Sequence, residues 1–319
     1  MLAFLTRRIG IAIPVLFGIM LLGFVFVHLL PGDPVQLLIS PDQLAGPDSA
    51  AYLERARREL GLDQPLPAQF LVWAKDVVTG NLGFSYAQRI PVTELLAPRW
   101  SATVTLALSA VVVALVLGIP VGVVSALKQN TWVDYASAAV SMLAISIPVF
   151  FLGLIAIYVF AVVLHLLPSG GMNTLGERSF SDSLRHLVLP ACTLAAVLVG
   201  PFVRYTRASL LDVLRQDFIT TAEAKGVPQA RVVVSHALRN ALIPLVTVLA
   251  VQVPALLAGT VITETIFSWP GLGKATLDAI SSRDYPVILA VVLLSAVLVM
   301  VFNLLADIAA ALLDPRIRL

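Results

Sequence analysis

The residue patterns in this chain that bear on chemistry are a glycine-rich run, a serine–lysine pair and two carboxylates in apolar surroundings. Gly271-Leu272-Gly273-Lys274-Ala275-Thr276 is spelled somewhat like a loop that wraps a phosphate. Such a loop needs a glycine five positions before its Gly-Lys pair and a Ser or Thr directly after the lysine. Ser268 and Ala275 hold those positions, so the run reads as a structural turn. Ser125-Ala126-Leu127-Lys128 has the SxxK spelling of some acyl enzymes without the accompanying SDN and KTG elements. It reads as a helix end whose lysine lays its stem along apolar surface and reaches for water. One cysteine, Cys192, forms no internal disulfide framework, and four scattered histidines lack metal-ligand spacing. No nucleophile with a base and an orienting group can be assembled, so the chain is not read as an enzyme.

The carboxylates are different, because a charge within or beside lipid is a functional candidate by default. Glu264 falls near the end of an apolar run, where it either faces a pathway as an outer gate or is solvated at the interface. Asp307 lies within another run, placed to pair with Arg316 or a neighbouring subunit. A proton-coupled carrier needs acidic or histidine groups at several depths, which these runs lack. Gly118 and Gly122 have the spacing that lets helix backbones approach closely and are read as packing.

The elements that must position these residues follow from composition. The chain is 59% apolar and 13% charged, against about 25% charged for a typical soluble domain. Lipid is its natural solvent. A net charge of +2, without basic residues interleaved with aromatics, excludes nucleic acid as a partner. A spanning helix takes about 20 apolar residues. Six stretches qualify: Ile9 to Leu30, Thr103 to Leu127, Tyr135 to Leu167, His186 to Val203, Leu242 to Thr263 and Val287 to Leu313. Prolines at 14, 120, 148, 190 and 254 predict kinked, bundled helices. The first stretch exceeds a signal-peptide core and no cleavage pattern follows, so it reads as a retained helix.

With the N-terminus inside, the inner segments hold eleven Lys/Arg and the two short outer loops four: Arg178, Arg185, Lys274 and Arg283. The positive-inside rule therefore puts both termini in the cytoplasm. Residues 1–30 form an N-terminal span, 31–100 a long extracytoplasmic segment, and 101–319 a helical core. In the outer segment, Asp48 or Ser49 caps a helix that Gly61 ends, and a second helix runs from Pro67 to Thr79. Its apolar Phe70, Leu71, Trp73, Ala74, Val77 and Val78 lie on the membrane surface, on the bundle or in a small packed subdomain.

The inner segment 204–241 carries a helical pattern through Leu210, Leu214 and Phe218. Thr220-Thr221-Ala222-Glu223-Ala224-Lys225-Gly226 and then Val227-Pro228 follow. Gly226 is able to take a positive φ that stops one helix, and Pro228 suits the first turn of the next. The outcome is a helix-turn-helix knuckle that serves either as a docking site or as an amphipathic connector.

Taken in order, four stretches resemble a known family along nearly the whole chain. They are Leu30-Pro31-Gly32-Asp33-Pro34, Glu59 to Leu66 (ELGLDQPL), Thr221 to Pro244, and a final set. That set comprises Glu264 to Gly273 (ETIFSWPGLG), Arg283-Asp284-Tyr285-Pro286 and Asp314-Pro315-Arg316-Ile317-Arg318. The family is the membrane permeases of bacterial ABC importers for dipeptides and oligopeptides, specifically the first of the two homologous subunits. The resemblance implies an all-α membrane fold with a MetI-like importer bundle, sited in the bacterial plasma (inner) membrane. It implies a second homologous permease, two cytoplasmic ATP-binding subunits and an extracytoplasmic peptide-binding protein as partners. ATP and magnesium would be bound by the ATPases, and no cofactor by this chain. It makes Thr220, Thr221, Ala222, Glu223, Ala224, Lys225 and Gly226 the coupling residues and leaves Glu264 as a possible pathway or outer-gate group. In the general importer motif only Ala222, Gly226 and Leu238 match; the remainder follows the peptide variant. Nickel and glutathione importers have similar permeases, and a stand-alone secondary transporter or channel is the rival from another class.

Overall fold

The computed structural model describes residues 2–29, 49–59, 61–177 and 179–313. Among these the chain is helical, apart from turns and one isolated bridge between Phe84 and Pro91. The helices are α1 (Leu2–Leu29), α2 (Ser49–Glu59), α3 (Leu66–Val78), α4 (Val92–Leu127), α5 (Trp132–Ser146) and α6 (Val149–Val163). They continue with α7 (Phe180–Leu214), α8 (Asp217–Ala224), α9 (Gln229–Ala241), α10 (Ile243–Ile266), α11 (Leu272–Ser281) and α12 (Tyr285–Leu313). Among the described residues four helices, α1, α4, α7 and α12, are long and apolar enough to cross a membrane. Two bent pairs, α5–α6 and α9–α10, raise the number to six if each counts as one crossing.

The structure departs from the sequence reading at three places. The third stretch is not a tilted rod: α5 and α6 meet at 101°. Pro148 lacks the N–H that would continue the ladder and forces Ile147 into extended backbone (φ −85°, ψ 126°), which ends α5. The fourth stretch is longer than its apolar core, because α7 starts at Phe180 and runs without a break to Leu214. Its start is fixed by Ser179, whose side chain accepts the backbone N–H of Asp182. The helical pattern that continued to Phe218 divides at Arg215 and Gln216, where α7 ends and α8 begins.

Two compact units divide the chain. One comprises Leu2–Ser101 with Gly271–Leu298, and the other Ala102–Pro270 with the described residues from Val299 onward. In the first unit, α3 spans almost the expected residues, and Gly61 and Gly80 take positive φ past the ends of α2 and α3. Asp48 lies outside the described residues. Phe70, Trp73 and Ala74 of α3 pack with Phe24 and Val27 of α1 and with Val92, Leu96, Ile288 and Val291. Phe70 stands edge-on to both Phe17 and Phe24, with centroids 5.6 and 5.5 Å away. The face thus packs on the spanning helices α1 and α12, the bundle alternative, except that Leu71 and Val78 remain exposed.

In the second unit the core is built on small residues. Ala107, Ala110 and Ala114 of α4 pack with Ala191, Leu194, Ala195, Leu198 and Phe202 of α7. A Cβ on Gly118 would lie 2.8 Å from Phe202 Cβ, and one on Gly122 would lie 2.6 Å from Thr206 Cβ and 2.8 Å from the Val203 carbonyl oxygen. Gly200 meets the Ser141 carbonyl of α5 in the same manner, at 2.7 Å. These glycines are what allow α7 to sit between the backbones of α4 and α5.

Candidate functional site: the interhelical knuckle and the polar tethers

The knuckle begins where α7 stops. Asp217 occupies the first turn of α8, where a carboxylate suits the positive helix end. At the other end Gly226 has φ +76°, its N–H bonds the Glu223 carbonyl at 2.9 Å, and the Val227 N–H bonds the Ala222 carbonyl at 3.2 Å. This is a Schellman cap, and it carries the usual apolar contact, because Val227 and Ala222 pack against one cluster. Pro228 sits just before α9 with φ −58° and ψ 140°, one position earlier than the first turn. A π-helical stretch, Val232–Ala237, lies within α9.

Beneath the knuckle is a small core of its own: Ala126, Leu210, Val213, Ile219, Val232, Ala237 and Ala241. Ile219 holds α8 to it. Ala222 is half-buried against the same cluster, so it serves the fold as much as any surface. Thr220, Thr221, Glu223, Ala224, Lys225 and Gly226 are exposed and form one continuous face around the turn. That face mixes one acid, one base and small side chains, which suits close approach by another protein.

The carboxylates of the second unit are held by specific donors. Asp134, near the start of α5, receives Nε and Nη2 of Arg207 from α7 at 2.6 and 2.7 Å. Ser125 Oγ and the Asn130 N–H complete the set at 2.6 and 3.0 Å. Asp182 accepts from the Thr174 N–H and hydroxyl, both at 2.7 Å, while His186 reaches the Gly170 carbonyl through Nδ1 at 2.8 Å.

Glu264 is fully enclosed, with Thr103 Oγ1 donating to it at 2.6 Å. The solvated-interface alternative is thereby corrected: Thr263 and Glu264 in the last turn of α10 face inside the unit, while Thr265 is exposed. Beside it, Trp269 Nε1 donates to the Ala102 carbonyl at 2.9 Å, and the Gly171 N–H donates to the Phe267 carbonyl at 2.7 Å. A Cβ on Gly170 would stand 2.4 Å from that same carbonyl oxygen, so the loop before α7 lies directly on the loop after α10.

In the first unit Asp284 plays an equivalent part. It accepts from Ser85 Oγ at 2.5 Å and from the Tyr86 and Ala87 N–H groups at 3.1 and 3.2 Å. The residues Gly271 to Thr276 open α11, with Leu272, Gly273 and Ala275 buried, as suits a structural turn.

Sequence reasoning passed over Asp134, Arg207, Asp182, His186, Thr103 and Asp284 as a tethering set. One local signal was available, since Ser179-Phe180-Ser181-Asp182 has capping-box spacing. His186 reaches back 16 positions to Gly170, and the Asp134, Thr103 and Asp284 bonds join residues 73, 161 and 199 positions apart, which no periodicity encodes. Among the described residues no group of three or more His, Cys, Asp or Glu is placed to hold a metal.

Residues 118–319 match the family described as binding-protein-dependent transport system inner membrane component, and residues 1–107 match its N-terminal family. The chain is 42% identical, over its whole length and 99% of the relative, to the dipeptide transport system permease protein DppB of Escherichia coli (strain K12). It is 42% identical to the oligopeptide transport system permease protein AppB of Bacillus subtilis (strain 168), over 99% of each chain. It is 41% identical to the glutathione transport system permease protein GsiC of Escherichia coli O6:H1, over all of this chain and 99% of that one. Among solved structures, the inward-facing MetNI methionine ABC transporter aligns with a TM-score of 0.57 at 19% identity, covering 69% of this chain and 96% of that one. That likeness speaks for the fold.

Proposed function

Since the chain belongs to the binding-protein-dependent transport system inner membrane components, we propose that it is one of two permeases enclosing the path of an ATP-driven di- and oligopeptide importer. It is a multi-pass protein of the bacterial inner membrane. Its partners are ATP-binding and substrate-binding proteins, here two cytoplasmic ATPases and an extracytoplasmic peptide-binding protein, together with a second homologous permease. The ATPases bind ATP and magnesium, and this chain supplies no catalytic group. Both termini lie in the cytoplasm, with 31–100 outside, in accord with the Lys/Arg distribution.

The single observation that carries the coupling role is the knuckle's geometry. Thr220, Thr221, Glu223, Ala224, Lys225 and Gly226 form an exposed face on a separately cored element attached to the end of a helix that traverses the unit. ATPase closure displaces the knuckle, α7 carries the displacement, and the path alternates its opening. ATP binding must favour one arrangement for this to work.

Glu264, buried under Thr103 and next to the Trp269 clamp, acts by holding the loop after α10 closed on α4. As an outer gate it would act through packing, with no contact to substrate in this arrangement. A proton-driven carrier is less well supported, because Asp134, Asp182 and Glu264 are all held by hydrogen bonds.

The reading is tested by purifying the tagged chain and assaying the reconstituted complex for ATP-driven uptake of di-, tri- and longer peptides and of glutathione. Two ATPases and a second permease should copurify, and peptide uptake should depend on ATP. Uptake by the isolated chain driven by an ion gradient would overturn the proposal.

A further inference from the structure

Arg204 and Arg207 stand three positions apart on α7 and have opposite circumstances. Arg207 is matched at two points by Asp134. Arg204 makes no hydrogen bond or ion pair among the described residues. It follows directly on the uncharged stretch 187–203, which at roughly 1.5 Å per residue covers most of a hydrocarbon layer. It therefore stands where the apolar part of α7 ends. Its charge suits the cytoplasmic end of a spanning helix, and its exposed guanidinium is available to a ligand there.

What it stands beside is a hollow of about 600 Å³ between α7 and the first turns of α10. Pro201, Arg204 and Tyr205 line it from α7, and Pro244, Thr247 and Gln252 line it from α10. The volume is that of a small-molecule site, with apolar walls and few polar groups. All the polar groups are able to donate: the guanidinium, a phenol, a hydroxyl and a carboxamide. Among the described residues no acid lines the hollow. A donor set of this kind, with a planar guanidinium able to make two parallel bonds, fits a carboxylate.

We infer that Arg204, with Tyr205, Thr247 and Gln252, forms a subsite for the C-terminal carboxylate of the transported peptide at the cytoplasmic end of the path; this rests on the importer and orientation given above. Every linear peptide carries that group whatever its side chains are. One guanidinium thus recognises many sequences, while the proline and valine walls accept side chains without selecting them. A membrane phosphate shares the anionic chemistry, but a lone headgroup needs neither the carboxamide of Gln252 nor the apolar walls of Pro201, Pro244 and Val248.

The test uses the whole complex in vesicles of defined lipid, with Cys192→Ser and, as a reporter, Val248→Cys, which lines the hollow without belonging to the donor set. The rate of thiol labelling from the cytoplasmic side is measured against increasing alanylalanine or its C-terminal amide. Alanylalanine should protect at a concentration about tenfold below that of the amide. R204Q should bring the two together, and R204K, which keeps charge but loses the two-point geometry, should fall between. Equal protection by acid and amide with Arg204 present overturns the inference without requiring any Arg204 variant to fold. An acid–amide difference that survives R204Q overturns it as well. Labelling that responds to phosphatidylglycerol in place of phosphatidylcholine, and not to alanylalanine, assigns Arg204 to lipid and also overturns it. A complex that imports peptide normally yet gives any of these results leaves the importer reading intact; one that imports none fails on that reading instead.

Discussion

Asp134 and Arg207 bind each other at two points, Nε to Oδ1 at 2.6 Å and Nη2 to Oδ2 at 2.7 Å, and so fix the start of α5 to the last third of α7. The acid is buried and the guanidinium is 30% exposed. D134N should leave Arg207 poorly matched and cost about 1–3 kcal/mol, below the figure for a fully buried pair because water reaches the arginine. Thermal unfolding of the purified complex would show a lower midpoint. In a double-mutant cycle, D134N with R207Q should cost less than the sum of the two; strict additivity would mean the pair is not coupled.

The close approach of α4 and α5 to α7 gives a graded packing prediction. G122A and G200A each place a methyl group within 2.6–2.8 Å of neighbouring atoms and should destabilise by about 1–3 kcal/mol. Gly10 has nothing within 4 Å of its notional Cβ, and G10A should leave the midpoint unchanged. Equal effects at all three positions would remove the argument from backbone contact.

At the knuckle, G226V tests the turn itself. Nothing lies within 4 Å of a Cβ there, so the cost is backbone strain at φ +76°, on the order of 1–3 kcal/mol. Because the change falls on the Schellman cap, uptake should drop while abundance in the membrane survives. Normal uptake with normal stimulation by the binding protein would make the knuckle a connector only.

Ala224→Asp separates docking from folding more cleanly than a change at half-buried Ala222. Ala224 is exposed, so the added charge should weaken recovery of the ATPases severalfold without moving the unfolding midpoint of the permease. A large fall in the midpoint would show instead that this position supports the small core.

Tyr86 provides a pH-dependent signature in the first unit. Burial, with the Asp284 carboxylate adding to it, pushes its phenol up to about 12. A raised value in the fold means the neutral phenol is favoured there. The stability this contributes is complete below the unfolded value of about 10 and is lost as pH rises toward 12. Ultraviolet titration, taken as the difference from Y86F, should show the late transition. D284N should lower it only in part, since burial is the larger cause; a return to the ordinary value would reverse that order.

The sequence made the apolar stretches legible because bilayer thickness sets their length, and Gly226 legible because a positive φ after a helix selects glycine. Pro148 was equally visible, but a proline inside an apolar run is compatible with a mild kink as well as with a 101° break, and tertiary packing decides between them. Glu264 was placed at the correct end of α10 but not inside the unit, because its burial depends on Thr103 and the Trp269 clamp, contributed from distant parts of the chain. Ala222 turned inward for a similar reason: which side of α8 meets Val213 and Val232 is a property of the assembled knuckle.

The unbroken length of α7 has a mechanical consequence. At about 1.5 Å per residue it measures roughly 52 Å, against about 30 Å of hydrocarbon. At Gly200 the backbone of α7 meets the Ser141 carbonyl and the Ile145 side chain of α5, a close contact about which α7 would rock. From that point the arm toward Leu214 is about 21 Å and the arm toward Phe180 about 30 Å. A rocking motion that moves the knuckle end by about 2 Å moves the far end by about 3 Å in the opposite sense. Rocking as a rigid rod about that point, the helix would be a lever with a gain above one, its His186–Asp182 end travelling further than its Leu214 end.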